Sequence, residues 1–409
     1  MQGTPKGLRV HIGLFGRRNV GKSSLVNALT GHAVSIVSAT PGTTTDPVEK
    51  SFEMAPIGPV TFIDTGGVDD VGALGQQRRQ RTEAVLERVD VALLVCGPEG
   101  FGPEEDQLAA QLQEHATPFV VVFNKSDLAA PPQADLERLA GAEVVRVSAA
   151  LGDNIGLLQE AITRQVPDDR LDEPSLVGDL VPAGELAVLV VPIDLGAPKG
   201  RLILPQVQVI REILDSDALC MVVKERELRD ALGRLDRKPR LVICDSQIVL
   251  KAVADTPPDV RLTTFSILMA RFKADLNKLT RGAAAIHRLR AGGRVLVAET
   301  CGHCPKADDI GRVKIPRWLR QYVGAHLEID VAAGKDLPDD LTPYDLVIHC
   351  GACMITRKHM LARLHRAERQ GVPMTNYGVA ISLLQGVLPR TLECFPAARG
   401  AYDAAREAG

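Results

Sequence analysis

The sequence predicts an α/β fold of mostly parallel sheets: a larger N-terminal domain followed by two smaller α/β domains. Three observations carry this expectation. Short β-branched runs alternate with helical patterns along the chain. A glycine-rich phosphate-loop pattern directly follows the first apolar run. Two later strand candidates end in cysteine motifs. Strands separated by helices favour parallel pairing, with helices on both faces of the sheet.

The chain's 409 residues suffice for two or three domains at roughly 100–200 residues each. Hydrophobic residues make up 45% and charged residues 24%, which makes disorder and low complexity poor descriptions. Lys+Arg 48 against Asp+Glu 51 leaves a net charge of -3, and only 3% of residues are aromatic. Neither a broad basic field nor a base-stacking platform follows, so no nucleic-acid partner is expected. No apolar run approaches the roughly 20 residues of a bilayer span, so no membrane partner is expected either. The apolar run 10–15 leads straight into the phosphate loop, which predicts no signal peptide and a cytoplasmic location. Under reducing conditions, the grouping of Cys301, Cys304, Cys350 and Cys353 favours metal or redox chemistry over structural disulfides.

The first domain, residues 1–167, has strand candidates at 10–15, 61–64, 91–95, 119–124 and 144–147. A polar, proline-bounded stretch at 166–175 reads as a linker. The second domain, 176–268, has candidates at 186–191, 219–223, 241–244 and 260–264, an amphipathic helix at 206–214 and no catalytic motif. A helix over 266–289 leads into the third domain, 269–409, with strands at 294–298, 345–349 and 372–375.

The most specific signal is GRRNVGKSS, which fits G-x-x-x-x-G-K-[ST] between a strand and a helix. Gly16 and Gly21 let the loop wrap with Asn19, Val20 and Ser24 around a phosphate chain. The helix N-terminus and Lys22 balance its charge, and the Ser23 hydroxyl is the expected magnesium ligand. The polar stretch Thr40 to Asp46 suits a switch loop, with Thr44 as a second magnesium ligand. Asp64 and Gly67, in the DTGG that closes a strand, are expected at the metal's water shell and the γ-phosphate. Asn124, Lys125 and Asp127 end the next strand. The Asp127 carboxylate can accept from both donors on the guanine edge, which adenine lacks, and so selects GTP. Ser148 and Ala149 complete the base pocket. Each motif alone has an ordinary loop as its alternative; in this order, each at a strand end, they form one site. Residues 8–167 resemble the GTPases of the Era/TrmE group. Val68 follows the DTGG, an apolar residue unable to orient water, so intrinsic hydrolysis is expected to be slow. Asn19 matches the residue that holds potassium beside the phosphates in TrmE-like GTPases, and potassium stimulation is the corresponding expectation.

The second signal is ETCGHCP, with Cys301, His303 and Cys304, and HCGAC, with His349, Cys350 and Cys353. Both follow strands, and ligands of open parallel sheets collect beyond the strands' carboxyl ends. Three chemistries compete: a 4Fe-4S cluster on Cys301, Cys350 and Cys353 with its fourth site open; a structural zinc on all four cysteines; or a CGHC dithiol. The dithiol leaves the second cysteine pair unexplained, and it has Thr300 where such motifs normally carry an aromatic residue.

The combination of this GTPase with C-x-H and H-C-x-x-C resembles the HydF family, the maturation GTPases of FeFe-hydrogenases, over all three stretches. DDIGRVKIP (308–316) and the segment 191–208 are also similar to that family. The resemblance implies a 4Fe-4S cluster on Cys301, Cys350 and Cys353, with His303 and His349 as labile fourth ligands or hydrogen-bonding neighbours. It implies that the protein carries the diiron subcluster precursor, supplied by the radical-SAM maturases HydE and HydG, to the FeFe-hydrogenase apoprotein. It also implies a homodimer formed through the middle domain, with the nucleotide state altering partner contacts through loops 40–46 and 66–75. Cys304 departs from the pattern and puts the ligand set in doubt. The alternative function is an Era/TrmE-like GTPase of RNA modification or ribosome assembly with a zinc-stabilised domain.

Overall fold

The computed structural model describes residues 4–31, 48–65, 83–167, 174–192, 202–300, 309–334 and 337–408. They fall into two compact units, Met1–Glu173 and Pro174–Gly409.

The first unit is built on strands β1 (Val10–Phe15), β2 (Val48–Met54), β3 (Gly58–Asp64), β4 (Val91–Cys96), β5 (Phe119–Phe123) and β6 (Val144–Arg146). Their order is β2-β3-β1-β4-β5-β6, and every pair is parallel except β2 against β3. Successive side chains of a strand point to opposite faces, and this sorts the core into two layers. Leu93, Val95, Val120 and Val122 pack with Ile12, Leu25 and Leu158 on one side. Ala92, Leu94, Val121 and Phe123 pack with Phe15, Leu108 and Leu112 on the other. Burial on both faces explains why these strands read as unbroken apolar runs. Strand β2 is absent from the sequence expectation. Among the described residues it is an edge strand that pairs with β3, so its VEKSFEM mixes charged and apolar residues.

The second unit holds two parallel sheets. One comprises β7 (Leu186–Val190), β8 (Leu219–Val223), β9 (Leu241–Cys244) and β10 (Arg261–Thr264), in the order β10-β9-β7-β8. The other comprises β11 (Arg294–Glu299), β12 (Glu328–Ala333), β13 (Leu346–His349) and β14 (Met374–Asn376), in the order β12-β11-β13-β14. Strand β12 is the second omission from the expectation, and again it is a largely exposed edge.

The helix expected over 266–289 is three pieces: Phe265–Lys273, Leu276–Ala283 and a 3-10 turn, Ala284–Arg288. Asp275 makes the break, because its side chain accepts from the Lys278 amide and caps the second helix. The first piece is buried on nearly every side, with Ile267, Leu268 and Met269 inaccessible to solvent. The boundary expected at 268/269 falls within it. Among the described residues no helix is long and apolar enough to cross a membrane.

Candidate functional site

The phosphate loop joins β1 to the helix Lys22–Thr30, and its shape depends on two glycines. Gly16 has φ +138°, and a Cβ there would lie 2.2 Å from the Val95 carbonyl oxygen. Gly21 has φ +91°, and its Cβ would lie 2.3 Å from the Asn124 amide nitrogen. Only glycine combines such angles with that approach. Asn19 adopts a left-handed φ of 61° between them. The two glycines and the left-handed Asn19 let the backbone wrap in the form that phosphate-binding loops take.

The Lys22 ammonium is buried and donates to the carbonyls of Gly16, at 2.8 Å, and Arg17, at 2.7 Å. Ser23 and Ser24 are exposed, and the Ser23 hydroxyl donates to Asp64 at 2.6 Å. A hydroxyl and a carboxylate so paired fit a magnesium ion and its water shell. Val20 is buried. Arg17 turns away from the cradle to the buried Glu105, at 2.8 Å, and to the Gly100 carbonyl. Thr44, Gly67 and Val68 lie outside the described residues, as do loops 40–46 and 66–75.

Asn124 organises the other side of the candidate site. Its side-chain nitrogen donates to the Val20 carbonyl at 2.8 Å, and its oxygen accepts from the Ala149 amide at 3.0 Å. One buried residue thus joins the phosphate loop, the strand end of β5 and the loop after β6. Lys125 follows in a left-handed conformation, φ 62°. The Ser148 hydroxyl donates to Asp127 at 2.6 Å and accepts from the Leu151 amide at 3.2 Å, orienting the carboxylate. The bracing by Asn124 and the Arg17–Glu105 pair are missed by motif reading, since both partners are remote in sequence.

At the second unit, β11 and β13 are neighbours, with Ala298 opposite His349. Their carboxyl ends therefore lie side by side. Cys350 donates its amide to the Ala298 carbonyl at 2.8 Å. Its sulfur lies 3.3 Å from both the amide nitrogen and the hydroxyl of Thr300. Thr300 directly precedes Cys301 in the chain; Cys301, His303 and Cys304 lie outside the described residues. Cys350 and Cys353 are half-buried on one turn, in which Ala352 takes a left-handed φ of 54°. Two soft sulfur donors at a sheet edge, one already receiving an amide N–H, fit a thiolate-bound iron–sulfur or zinc site.

His349 is completely buried. Its Nδ1 lies 2.8 Å from the Cys350 carbonyl oxygen, and its Nε2 lies 2.8 Å from the guanidinium of Arg363. Burial and the neighbouring cation push its pKa down to about 3, so the ring is neutral.

A second network lies beside Cys350. Glu299, buried at the end of β11, accepts from Arg312 at 3.2 Å and from the Tyr377 hydroxyl at 3.2 Å. Burial and the nearby Cys350 and Glu299 raise the Tyr377 pKa. Arg312 sits in a π-helical turn, Ile310–Lys314, and donates its own amide to the side chain of Asp309 that caps the turn. Such turns recur at functional sites. The ends of β11, β13 and β14 and this turn converge here, an arrangement that the string 309–316 does not itself reveal.

Three family models match the chain. Residues 11–125 match a model described as 50S ribosome-binding GTPase, 176–274 the hydrogen maturase F dimerization domain, and 277–394 the hydrogen maturase F tetramerization domain. The chain is 36% identical over 156 residues to a tRNA modification GTPase, MnmE, of Nitrosomonas europaea, covering 38% of this chain and 34% of that protein. It is 34% identical over 167 residues to a GTPase Der of Wolinella succinogenes, covering 38% and 35%. The chain thus spans about a third of the length of the curated relatives it matches. The G domain of the T. maritima FeoB iron transporter matches at 24% identity and a TM-score of 0.32, over 39% of this chain and 99% of that one.

Proposed function

The chain belongs to the hydrogen maturase F family, and on that premise we propose that it is a GTP-hydrolysing scaffold that carries a 4Fe-4S cluster and hands a diiron precursor to apo FeFe-hydrogenase. Its matched domains are a GTPase domain followed by dimerization and tetramerization domains of that family. The observation that carries the reading is the convergence of Thr300, and so of the chain leading to Cys301, on the sulfur of Cys350 at adjacent strand ends.

In this reading, Lys22 and the amides of the Gly16–Gly21 loop hold the β- and γ-phosphates. Ser23 and Asp64, with Thr44, hold magnesium and its water. Asp127, oriented by Ser148, accepts from the guanine edge, while Asn124 keeps the two halves of the pocket in register. Gly67 addresses the γ-phosphate. Val68 has no group to align water, so hydrolysis is slow, and Asn19 recruits the potassium ion that accelerates it. Hydrolysis changes partner contacts through loops 40–46 and 66–75.

Cys301, Cys350 and Cys353 hold the cluster. When bound, it supplies an iron site not filled by thiolate, through which cargo docks firmly and still leaves. The chain's own part is to fix the sulfurs, and around Cys350 it places Thr300, His349 and Tyr377, the last bonded to Glu299 and so linked to Arg312. HydE and HydG supply the precursor, and the assembly is at least a dimer. Residues 176–274 and 277–394 form the two oligomerising segments.

The experiment is activation of apo-hydrogenase by the purified chain loaded anaerobically with cluster and precursor. Hydrogen evolution with wild type, and none with Cys350→Ser, supports the reading. No activation with a fully loaded wild type, joined by salt-dependent RNA binding, would return the chain to the RNA-associated GTPases.

A further inference from the structure

We propose that Arg363 is a positioning residue for the cysteine turn: through His349 it fixes the backbone that carries Cys350, and His349 is not an iron ligand. This deepens the cluster reading above and rests on it.

A guanidinium only donates, so the nitrogen 2.8 Å from Arg363, Nε2 of His349, holds its lone pair toward it. The proton of the neutral ring is then on Nδ1. A backbone carbonyl only accepts, and the carbonyl of Cys350 lies 2.8 Å from that Nδ1. Two unrelated partners, one on the helix Arg357–Arg369 and one on the turn, require the same tautomer. Both ring nitrogens are thereby committed.

A metal-binding histidine presents one nitrogen to the metal and hands the other N–H to a carbonyl or carboxylate. Here the nitrogen left for a metal faces a buried cation, which opposes a metal ion by charge as well as by occupancy. Arg363 is 2% exposed and His349 0%. Rotating the ring toward the sulfurs would strip a hydrogen bond from a buried guanidinium and from a buried ring, which the interior strongly disfavours.

The consequence for Cys350 is that its amide, carbonyl and sulfur are all held. The amide binds Ala298, the carbonyl binds His349, and the sulfur meets Thr300. Ala352 two residues on is left-handed, a conformation that persists only where neighbouring backbone is fixed. Arg363 anchors that arrangement through His349, from which it lies 14 positions away in the sequence.

The test uses the untagged full chain, labelled with ¹⁵N-histidine, reconstituted with ferrous iron and sulfide, and reduced for pulsed EPR. His349→Gln, whose amide both donates and accepts, is expected to leave the wild-type histidine-nitrogen coupling unchanged. Arg363→Met is expected to lower retained iron about tenfold and to alter the EPR line shape of what remains. The GTP hydrolysis rate stays at the wild-type value, and Arg363→Lys recovers most of the iron. Loss of a histidine coupling in His349→Gln overturns the proposal. So do wild-type iron and EPR in Arg363→Met. If Arg363→Met does not accumulate as folded protein, His349→Gln alone decides, by the same criterion. A wild-type chain that takes up no iron is a separate outcome: it removes the cluster reading, and this proposal with it.

Discussion

Asn124 and Val20, 104 positions apart, are joined by a buried hydrogen bond of 2.8 Å from the asparagine side chain to the valine carbonyl. Through it, the loop after β5 and the glycine-rich loop after β1 are tied together. The same side chain accepts from Ala149. Asn124→Ala deletes both bonds at once. With about 1–3 kcal/mol expected for unmade buried hydrogen bonds, it should weaken GTP and GDP alike by roughly 10- to 100-fold. Fluorescent-nucleotide titration checks this; wild-type affinity would make the bond incidental.

Asp127 accepts from Ser148 and presents its remaining lone pairs outward. Asp127→Asn replaces an acceptor with a donor and should cost about 100-fold in GTP affinity. The variant should prefer xanthosine triphosphate, whose base offers a carbonyl where guanine offers an amino group. Competition between the two nucleotides reads the switch directly. A variant that still prefers GTP contradicts the assigned role.

Potassium should accelerate GTP hydrolysis where sodium at equal ionic strength does not, and Asn19→Ala should remove the difference. The prediction follows from the residue's place in the loop at φ 61°, between the two glycines. Equal rates in both salts for the wild type would take away the role of Asn19.

Gly311→Ala should destabilise the second unit more than Tyr377→Phe does. A Cβ at Gly311 would lie 2.1 Å from the Tyr377 hydroxyl and 2.5 Å from the Glu299 carboxylate. Removing the hydroxyl costs one hydrogen bond, about 1–3 kcal/mol when the acceptor is buried. In the double variant the closest clash is gone, so Gly311→Ala should cost less in the Tyr377→Phe background than in the wild type. Thermal or denaturant unfolding of the four proteins measures the coupling. Strict additivity would mean that the two groups do not meet.

The candidate nucleotide site could be proposed from sequence because its described motifs, GRRNVGKSS and Asn124–Asp127, are short strings at the ends of apolar strands that parallel topology brings together. Strands β2 and β12 were not legible, since an edge strand needs no apolar alternation and theirs is diluted by charge. The long helix expected over 266–289 was divided by Asp275, whose capping role depends on the Lys278 amide it meets after the break. At the cysteine site the sequence identified donors but not their support. Glu299, Arg312, Tyr377 and Arg363 belong to four separate elements, and only the β11-β13-β14 pairing makes neighbours of them. His349 illustrates the difference: its spacing marks it as a candidate ligand, while its partners are a carbonyl and a buried guanidinium.

The measurement that bears most directly on the central claim is iron, sulfide and zinc per chain after anaerobic reconstitution, in wild type and Cys350→Ser. The account predicts about four irons and four sulfides per wild-type chain, lost in the variant, with no stoichiometric zinc. Stoichiometric zinc without sulfide uptake would contradict it and make the cysteine turn a structural metal site.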